Sequence, residues 1–285
     1  MGEAVLRWMR PLWGMTYPPT CLRSDLFQGV EGYGYRLWPS RTVAHRYPPN
    51  APYTVTLTSN ADGFRSRREL HEFDPRRRIL VLGDSMVFGD GVEEPERLTE
   101  TLERLEPGWR VDNLGMVGYG PDLMVRALEH VGLDPVPEVV VLVQFTDDFR
   151  RVVPPYSGAG FPLPRYVLDG DRLVTVPYPG PHLWDHLRLL QGMRYLRWRY
   201  TGATFELNAA ILDHFVSLGR THGFSPAVTF APGPRDNWDD RRRREWLRTW
   251  AARSATPFID LTDALGDGAA RYYLPADPHW NAAGR

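Results

Sequence analysis

Lysine is missing altogether. All 34 basic residues of this 285-residue chain are arginine, so no lysine can act as a catalytic base, a Schiff-base former or a phosphate ligand. Cysteine occurs once, at Cys21, which excludes an intrachain disulfide and any multi-cysteine zinc or iron–sulfur site, and leaves the redox compartment open. Charge of one sign is not in excess either: the net charge of −1 gives no basic surplus from which a nucleic-acid face is built. Long apolar runs are absent. No stretch approaches the ~20 apolar residues of a spanning helix, and Met1 to Met15 carries Arg7, Arg10 and Pro11 inside its apolar residues, which breaks any signal-peptide core. The expectation is a cytoplasmic protein with no membrane span.

What is present is ample core material, with 42% hydrophobic and 12% aromatic residues, enough for one large domain or one domain with an insertion. Residues 1–52 are rich in Tyr, Trp, Pro and Gly without a helical period and read as an irregular N-terminal arm, followed by a main domain over 53–285. Tyr53 to Thr58 alternates and is rich in β-branched residues, as a strand would be. Arg65, Arg67, Arg68 and Arg76-Arg77-Arg78 read as solvated faces. From Ile79 the rhythm is strand, helix, strand: helix from Thr99 to Leu105, strand Arg110 to Asn113, helix Pro121 to His130 opened by proline, and strand Glu138 to Phe145. An insertion at about 150–203 holds a hairpin, Tyr166-Val167-Leu168 and Arg172 to Val176 around Asp169-Gly170-Asp171, and a helix from Trp184 to about Tyr200. A helix from Phe205 to His222, strand Ala227 to Phe230, a helix from Asp239 to Arg253 with Arg241 to Arg244 on a solvated face, and strand Pro257 to Asp260 follow. Apolar strands alternating with helices predict an α/β fold with a parallel sheet covered on both sides.

Ile79-Leu80-Val81-Leu82 fits a strand buried on both faces, and Gly83-Asp84-Ser85 stands where that strand ends. Open α/β sheets keep their chemistry at that edge. Ser85 is a candidate nucleophile, its hydroxyl presented at a tight turn with backbone N–H groups nearby; the simpler reading has it only cap a helix. At the other end of the chain, Asp277-Pro278-His279-Trp280 puts an acid two residues before a histidine in a proline-stiffened loop. Asp277 can turn back to hold one imidazole nitrogen, leaving the other free to take a proton from a serine. The other histidines, among them His71, His182, His186 and His222, have no such acid and read as surface or core residues. Asp84, Asp147, Asp148 and Asp277 could also gather as a metal cluster at the sheet edge, but the serine and histidine are better explained by triad chemistry.

Together these residues resemble the SGNH hydrolase family, also called GDSL esterases. Gly83-Asp84-Ser85 is similar to the block that carries the family's serine. Asn113-Leu114-Gly115-Met116-Val117-Gly118-Tyr119-Gly120 is similar to the second block, with Gly118 at the oxyanion-hole glycine, and Asp277 and His279 match the last block. The resemblance spans about residues 52–285 and implies a three-layer α/β/α, flavodoxin-like fold with a central, mostly parallel sheet. It implies a serine esterase that needs no metal or organic cofactor and takes a small-molecule or carbohydrate acyl ester. The short Asp-x-His-Trp form, Asn60 with Gly63-Phe64-Arg65, and Phe258 to Thr262 are similar to a bacterial branch that includes acetyltransferase-like proteins of alginate O-acetylation.

Two positions depart from the family. Its third block has Gly-x-Asn-Asp, whose asparagine amide donates to the oxyanion, whereas this chain reads Phe145-Thr146-Asp147-Asp148. An ionised Asp147 would repel the charge that an oxyanion hole stabilises, which leaves the backbone amides of Ser85 and Gly118 as the expected hole. The family also continues into a final helix past the point where this sequence reaches Arg285, so weaker support of the histidine loop is expected. Three functions follow from the resemblance: a hydrolase acting through an acyl-enzyme; an acyltransferase to a sugar or metabolite hydroxyl, with Tyr156, Tyr166, Tyr178, Trp184, Tyr195 and Trp198 forming a dry pocket; and a catalytically impaired binding module.

Overall fold

Apolar four-residue runs near Leu80 and Val141 can satisfy their backbones only beside other strands, and five such strands do so in parallel. The computed structural model describes residues 25–46, 54–153, 161, 163–177, 187, 189–190, 192–193, 196, 202–234, 237–265, 269–275 and 277–285. Cys21, Tyr156, Tyr178, Trp184, Tyr195, Trp198 and most of the helix expected from Trp184 to Tyr200 lie outside these residues.

In chain order, β1 (Phe27–Val30) pairs antiparallel with β2 (Gly34–Leu37), and β3 (Thr42–His45) with β4 (Val55–Thr58). The arm is therefore not irregular where it is described. Four-residue strands are too short to print an alternation, and their pairing comes with the burial of Phe27, Tyr33, Tyr35 and Leu37. Next come β5 (Arg77–Gly83), α1 (Ser85–Phe88), α2 (Leu98–Leu105), β6 (Trp109–Gly115), α3 (Pro121–Val131), β7 (Val139–Phe145) and α4 (Asp148–Arg151). The chain then forms the hairpin β8 (Arg165–Asp169) and β9 (Arg172–Val176), α5 (Ala203–His222), β10 (Ser225–Ala231), α6 (Trp238–Ser254), β11 (Phe258–Asp260) and α7 (Leu261–Leu265).

The sheet runs β11-β10-β7-β5-β6. The chain steps outward from β5 to β6 and then returns to the other side of β5 with β7. That reversal opens a crevice at the carboxyl end of β5, where α/β sheets bind ligands. Side chains alternate between the faces, as a period of two requires. Leu80, Leu82, Val140, Leu142 and Val228 pack with Leu123, Leu128, Ile211, Phe215 and Trp250 from α3, α5 and α6. Val81, Val111 and Val143 face the other way, against Leu102, Leu261, Tyr273 and Trp280. Helices thus cover both faces, giving an α/β fold.

Local signals set the helix ends. The Asn237 side chain accepts from Asp240 N at 3.1 Å to cap α6, whose first turn carries Asp239 and Asp240, the favourable end for acids. The described hairpin of the insertion lies on α3 and α5: Tyr166 Oη donates to Glu129 at 3.1 Å, and the Arg126 guanidinium sits 4.1 Å from the Tyr166 ring centre. No described helix is long and apolar enough to cross a membrane.

Candidate active site

β5 ends at Gly83, and the chain turns at once into α1. Asp84, not Ser85, caps that helix: Oδ1 of Asp84 accepts from Met86 N at 2.8 Å. Ser85 is the first helical residue, so its amide has no intrahelical acceptor. The helix is seated directly on the end of β6. A Cβ on Gly115 would stand 2.3 Å from Phe88 N and 2.7 Å from Val87 C, so only glycine allows this approach. Asn113 fixes it further: Nδ2 donates to Val87 O at 2.7 Å and to Thr99 Oγ1 at 2.9 Å, and Oδ1 accepts from Gly115 N at 2.9 Å. Beyond the helix, the fully buried Arg65 donates to Phe88 O, Gly89 O, Val92 O and Thr56 O at 2.6–3.3 Å. Burial and the neighbouring Arg97 charge push its guanidinium down to about 9, so it remains a cation at neutral pH.

His279 reaches the serine from the far end of the chain. Its Nε2 lies 2.6 Å from Ser85 Oγ, and its Nδ1 lies 2.5 Å from Asp277 Oδ1. An ionised carboxylate only accepts, so Nδ1 is the donor in its contact with Asp277, and Nε2 is the nitrogen that faces the serine hydroxyl. The same Oδ1 accepts from His279 N at 2.9 Å, which sets the turn. Leu274 N donates to His279 O at 2.8 Å and Asn281 N to Tyr272 O at 2.8 Å, closing the loop into a small hairpin. Two aromatics anchor it. Trp280 is 1% exposed among Val81, Met86, Val87 and Val143, and Tyr273 Oη donates to Pro232 O at 2.9 Å.

Past the end of β6 comes the Val117–Tyr119 turn, in which Gly118 has φ +80° and Tyr119 N donates to Met116 O at 3.1 Å. The N-terminal arm grips this turn: Tyr35 Oη donates to Val117 O, Tyr119 Oη donates to Tyr35 O, and the two rings meet edge-on at 5.2 Å. Arg151 joins the turn to the serine. Its Nη1 donates to Asp84 Oδ2 at 2.7 Å, to Tyr119 O at 3.1 Å and to Asp148. Burial, and then the nearby Asp84 charge, hold the Asp148 carboxyl well above the usual range.

Asp147 behaves differently from its neighbour. Burial acts to raise its pKa, but hydrogen bonds from Arg150 at 3.1 and 2.6 Å and the charges of Arg150, Arg151 and Arg243 outweigh it, leaving the carboxyl below its ordinary value. At neutral pH it is an ionised acceptor, with no proton to donate. The four aspartates weighed as a metal cluster are thus shared out: Asp84 and Asp148 to Arg151, Asp147 to Arg150, and Asp277 to His279.

No protein-family model and no curated protein matches the chain. Among solved structures it is similar to a protein assigned to the lipolytic G-D-S-L family from Desulfitobacterium hafniense DCB-2, at 13% identity over 73% of this chain and 93% of that one, with a TM-score of 0.47. It is also similar to AlinE4, an SGNH-hydrolase family esterase, at 16% identity over 72% and 86% of the two chains, with a TM-score of 0.42. A third likeness is to a member of the lipolytic G-D-S-L family from Veillonella parvula DSM 2008, at 17% identity over 73% and 91%, with a TM-score of 0.42.

Beside the histidine loop opens a cavity of about 1010 Å³, walled by Asp277 and Pro278, by Asp147 and Arg150, and by Trp238 and Arg243 among others. The described hairpin of the insertion contributes nothing to its described wall. Arg243 corrects the expectation of a solvated face: its side chain is 12% exposed and donates to Thr146 O at 2.9 Å and to Thr146 Oγ1 at 3.0 Å. Arg65 and Arg78 likewise leave the solvated runs predicted for them, Arg78 pairing with buried Asp112 at 2.7 Å. The sequence singled out neither Arg65 nor Arg151 as a site residue, although Arg65 stands in the Gly63-Phe64-Arg65 block of the family resemblance and Arg151 shows the Asp148–Arg151 spacing of a one-turn ion pair.

Proposed function

We propose that this chain is a serine esterase of SGNH-hydrolase type that cleaves a small acyl ester through a covalent acyl-enzyme. The observation that carries the reading is the continuous path Asp277 Oδ1, His279 Nδ1, His279 Nε2, Ser85 Oγ, with steps of 2.5 and 2.6 Å, the second joining residues 194 apart in sequence. Chance seldom aligns three such groups in the order that nucleophilic catalysis needs. In the first half-reaction, Ser85 Oγ attacks the ester carbonyl while Nε2 takes its proton. The tetrahedral oxyanion is held by the amides of Ser85 and Gly118. The imidazolium, steadied by Asp277, then protonates the departing alcohol. In the second half-reaction Nε2 takes a proton from water, which attacks the acyl–Ser85 carbonyl, and then returns that proton to Ser85 Oγ as the acyl–oxygen bond breaks and the acid leaves.

Asp147 takes no part as a donor in this scheme. A missing oxyanion donor costs on the order of 10²–10³ in rate, so a slow enzyme is expected. Replacing Ser85 by Ala lowers turnover of p-nitrophenyl acetate by about 10⁵-fold or more if Ser85 is the nucleophile; turnover that survives the substitution rejects the assignment. A wild-type protein that is folded yet inert toward short esters favours the binding-module reading instead.

A second reading, transfer of the acyl group to a sugar or metabolite hydroxyl, is favoured by the cavity of about 1010 Å³ against Asp277 and Pro278. It is large enough for an acceptor, and polar enough to suit one. The short Asp277-Pro278-His279-Trp280 block, similar to the alginate O-acetylation branch, points the same way. Product analysis with and without polyol acceptors separates transfer from hydrolysis.

A further inference from the structure

Arg285 ends the last 3-10 turn of the structure, Ala282–Gly284, and its side chain turns back across the site. Nε donates to Trp280 O at 3.0 Å, Nη1 to Met86 O at 2.8 Å and Nη2 to Asp90 O at 2.7 Å. Trp280 follows His279, and Met86 follows Ser85. One planar group therefore holds the backbone neighbours of both reacting side chains.

We propose that Arg285 is a positioning residue that sets the distance between His279 and Ser85 by tying the histidine loop to the serine helix. The inference rests on the reading of Ser85 as nucleophile and His279 as base. Three further observations support it. First, α1 has only four residues, so its carbonyls need partners from outside the helix; Arg65 donates to Phe88 O, Asn113 to Val87 O and Arg285 to Met86 O. Second, the three bonds leave the guanidinium through all three of its nitrogens, a planar fork that a lysine ammonium cannot reproduce. Third, the site is built to keep this group charged. The Asp90 carboxylate is 1% exposed, with His45 Nε2 at 3.6 Å from its Oδ1, and it acts on the Arg285 guanidinium through its charge. Burial pushes Arg285 down to about 10, with Asp90 opposing that fall, so the guanidinium is a cation at neutral pH.

Among the described residues, the histidine loop is also linked to the body of the protein by Trp280 packing, by the Tyr273–Pro232 hydrogen bond and by the His279–Ser85 contact itself. Packing resists separation of the loop but permits small slides, whereas directed bonds to Met86 O and Asp90 O fix its register. A displacement near 1 Å is enough to cost about 10²-fold in a reaction that needs near-attack geometry.

The test measures the second-order rate at which a fluorophosphonate labels Ser85, well below the melting temperature, in wild type and in Arg285→Ala and Arg285→Lys. Arg285→Ala is expected to label about 10–100-fold more slowly, with Arg285→Lys in between. Millimolar guanidinium is expected to restore part of the rate in Arg285→Ala and to do nothing for wild type. With a chromogenic ester the loss falls on kcat, and KM holds. Labelling of Arg285→Ala at the wild-type rate, or a loss that guanidinium leaves untouched and that appears equally in KM, overturns the proposal. Should Arg285→Ala fail to fold, Arg285→Lys decides: wild-type labelling in that variant overturns it. Absence of labelling in wild type rejects the nucleophile assignment, and the proposal falls with it.

Discussion

The two halves of the proposed catalytic pair are held in opposite ways. Ser85 sits at the end of a central strand, on a helix pressed against Gly115 and fastened by Asn113, Arg65 and Asp84. Its surroundings are the sheet itself. His279 rides a loop outside the sheet, whose anchors among the described residues include the buried Trp280, the Tyr273 hydroxyl and Arg285. The serine's position follows from the fold, and the histidine's from a few side chains. Changes on the serine side therefore disturb stability and chemistry together, while changes on the histidine side can separate them.

Exchanging Trp280 for Ala strikes the anchor of the weaker half. A cavity of that size costs about 3–5 kcal/mol, expected as a large fall in melting temperature, together with loss of ester turnover. Retained activity at a temperature where the variant is folded would show that the histidine loop has a stronger anchor than the contacts described. Asp147→Asn probes the opposite half. It removes a negative charge and returns an amide donor, so kcat is expected to rise by about tenfold, below the ~10²–10³ that a fully aligned oxyanion donor supplies. An unchanged or lower kcat would place Asp147 away from the oxyanion.

The smallest effect is a pH dependence on the serine side. Asp122 follows the Gly118 turn. Burial pushes its carboxyl up to about 6 against the pull of Arg126, and its Oδ1 has no hydrogen-bond partner. The folded protein resists ionisation that the unfolded chain allows, so this residue's contribution to stability falls as pH rises from about 4 to about 6 and stays low above that. Asp122→Asn is expected to match wild type in chemical denaturation below about pH 4 and to exceed it by about 1–3 kcal/mol at pH 7. Equal stabilities at pH 7 would mean that the carboxylate is solvated.

The same contrast explains what could be read in advance. The strands around Leu80 and Val141 were legible because they print as unbroken apolar runs, and that around Val228 because only Thr229 interrupts its apolar residues. Gly83-Asp84-Ser85 and Asp277-Pro278-His279 were legible because each is a local block, and the structure brings Ser85, His279 and Asp277 together. The clamps were not. Arg65 and Arg285 act on backbone carbonyls, which every residue has, so no partner residue type marks their targets. β1 to β3 were missed because their four-residue length hides any period and their strength lies in rings that pack on distant residues such as Tyr119.

Mass spectrometry of the peptide labelled by a fluorophosphonate probe tests the central claim most directly. The adduct is expected on Ser85, at a rate that drops sharply in His279→Ala while the protein stays folded. No adduct on Ser85 in folded wild-type protein, or labelling indifferent to His279, would contradict it.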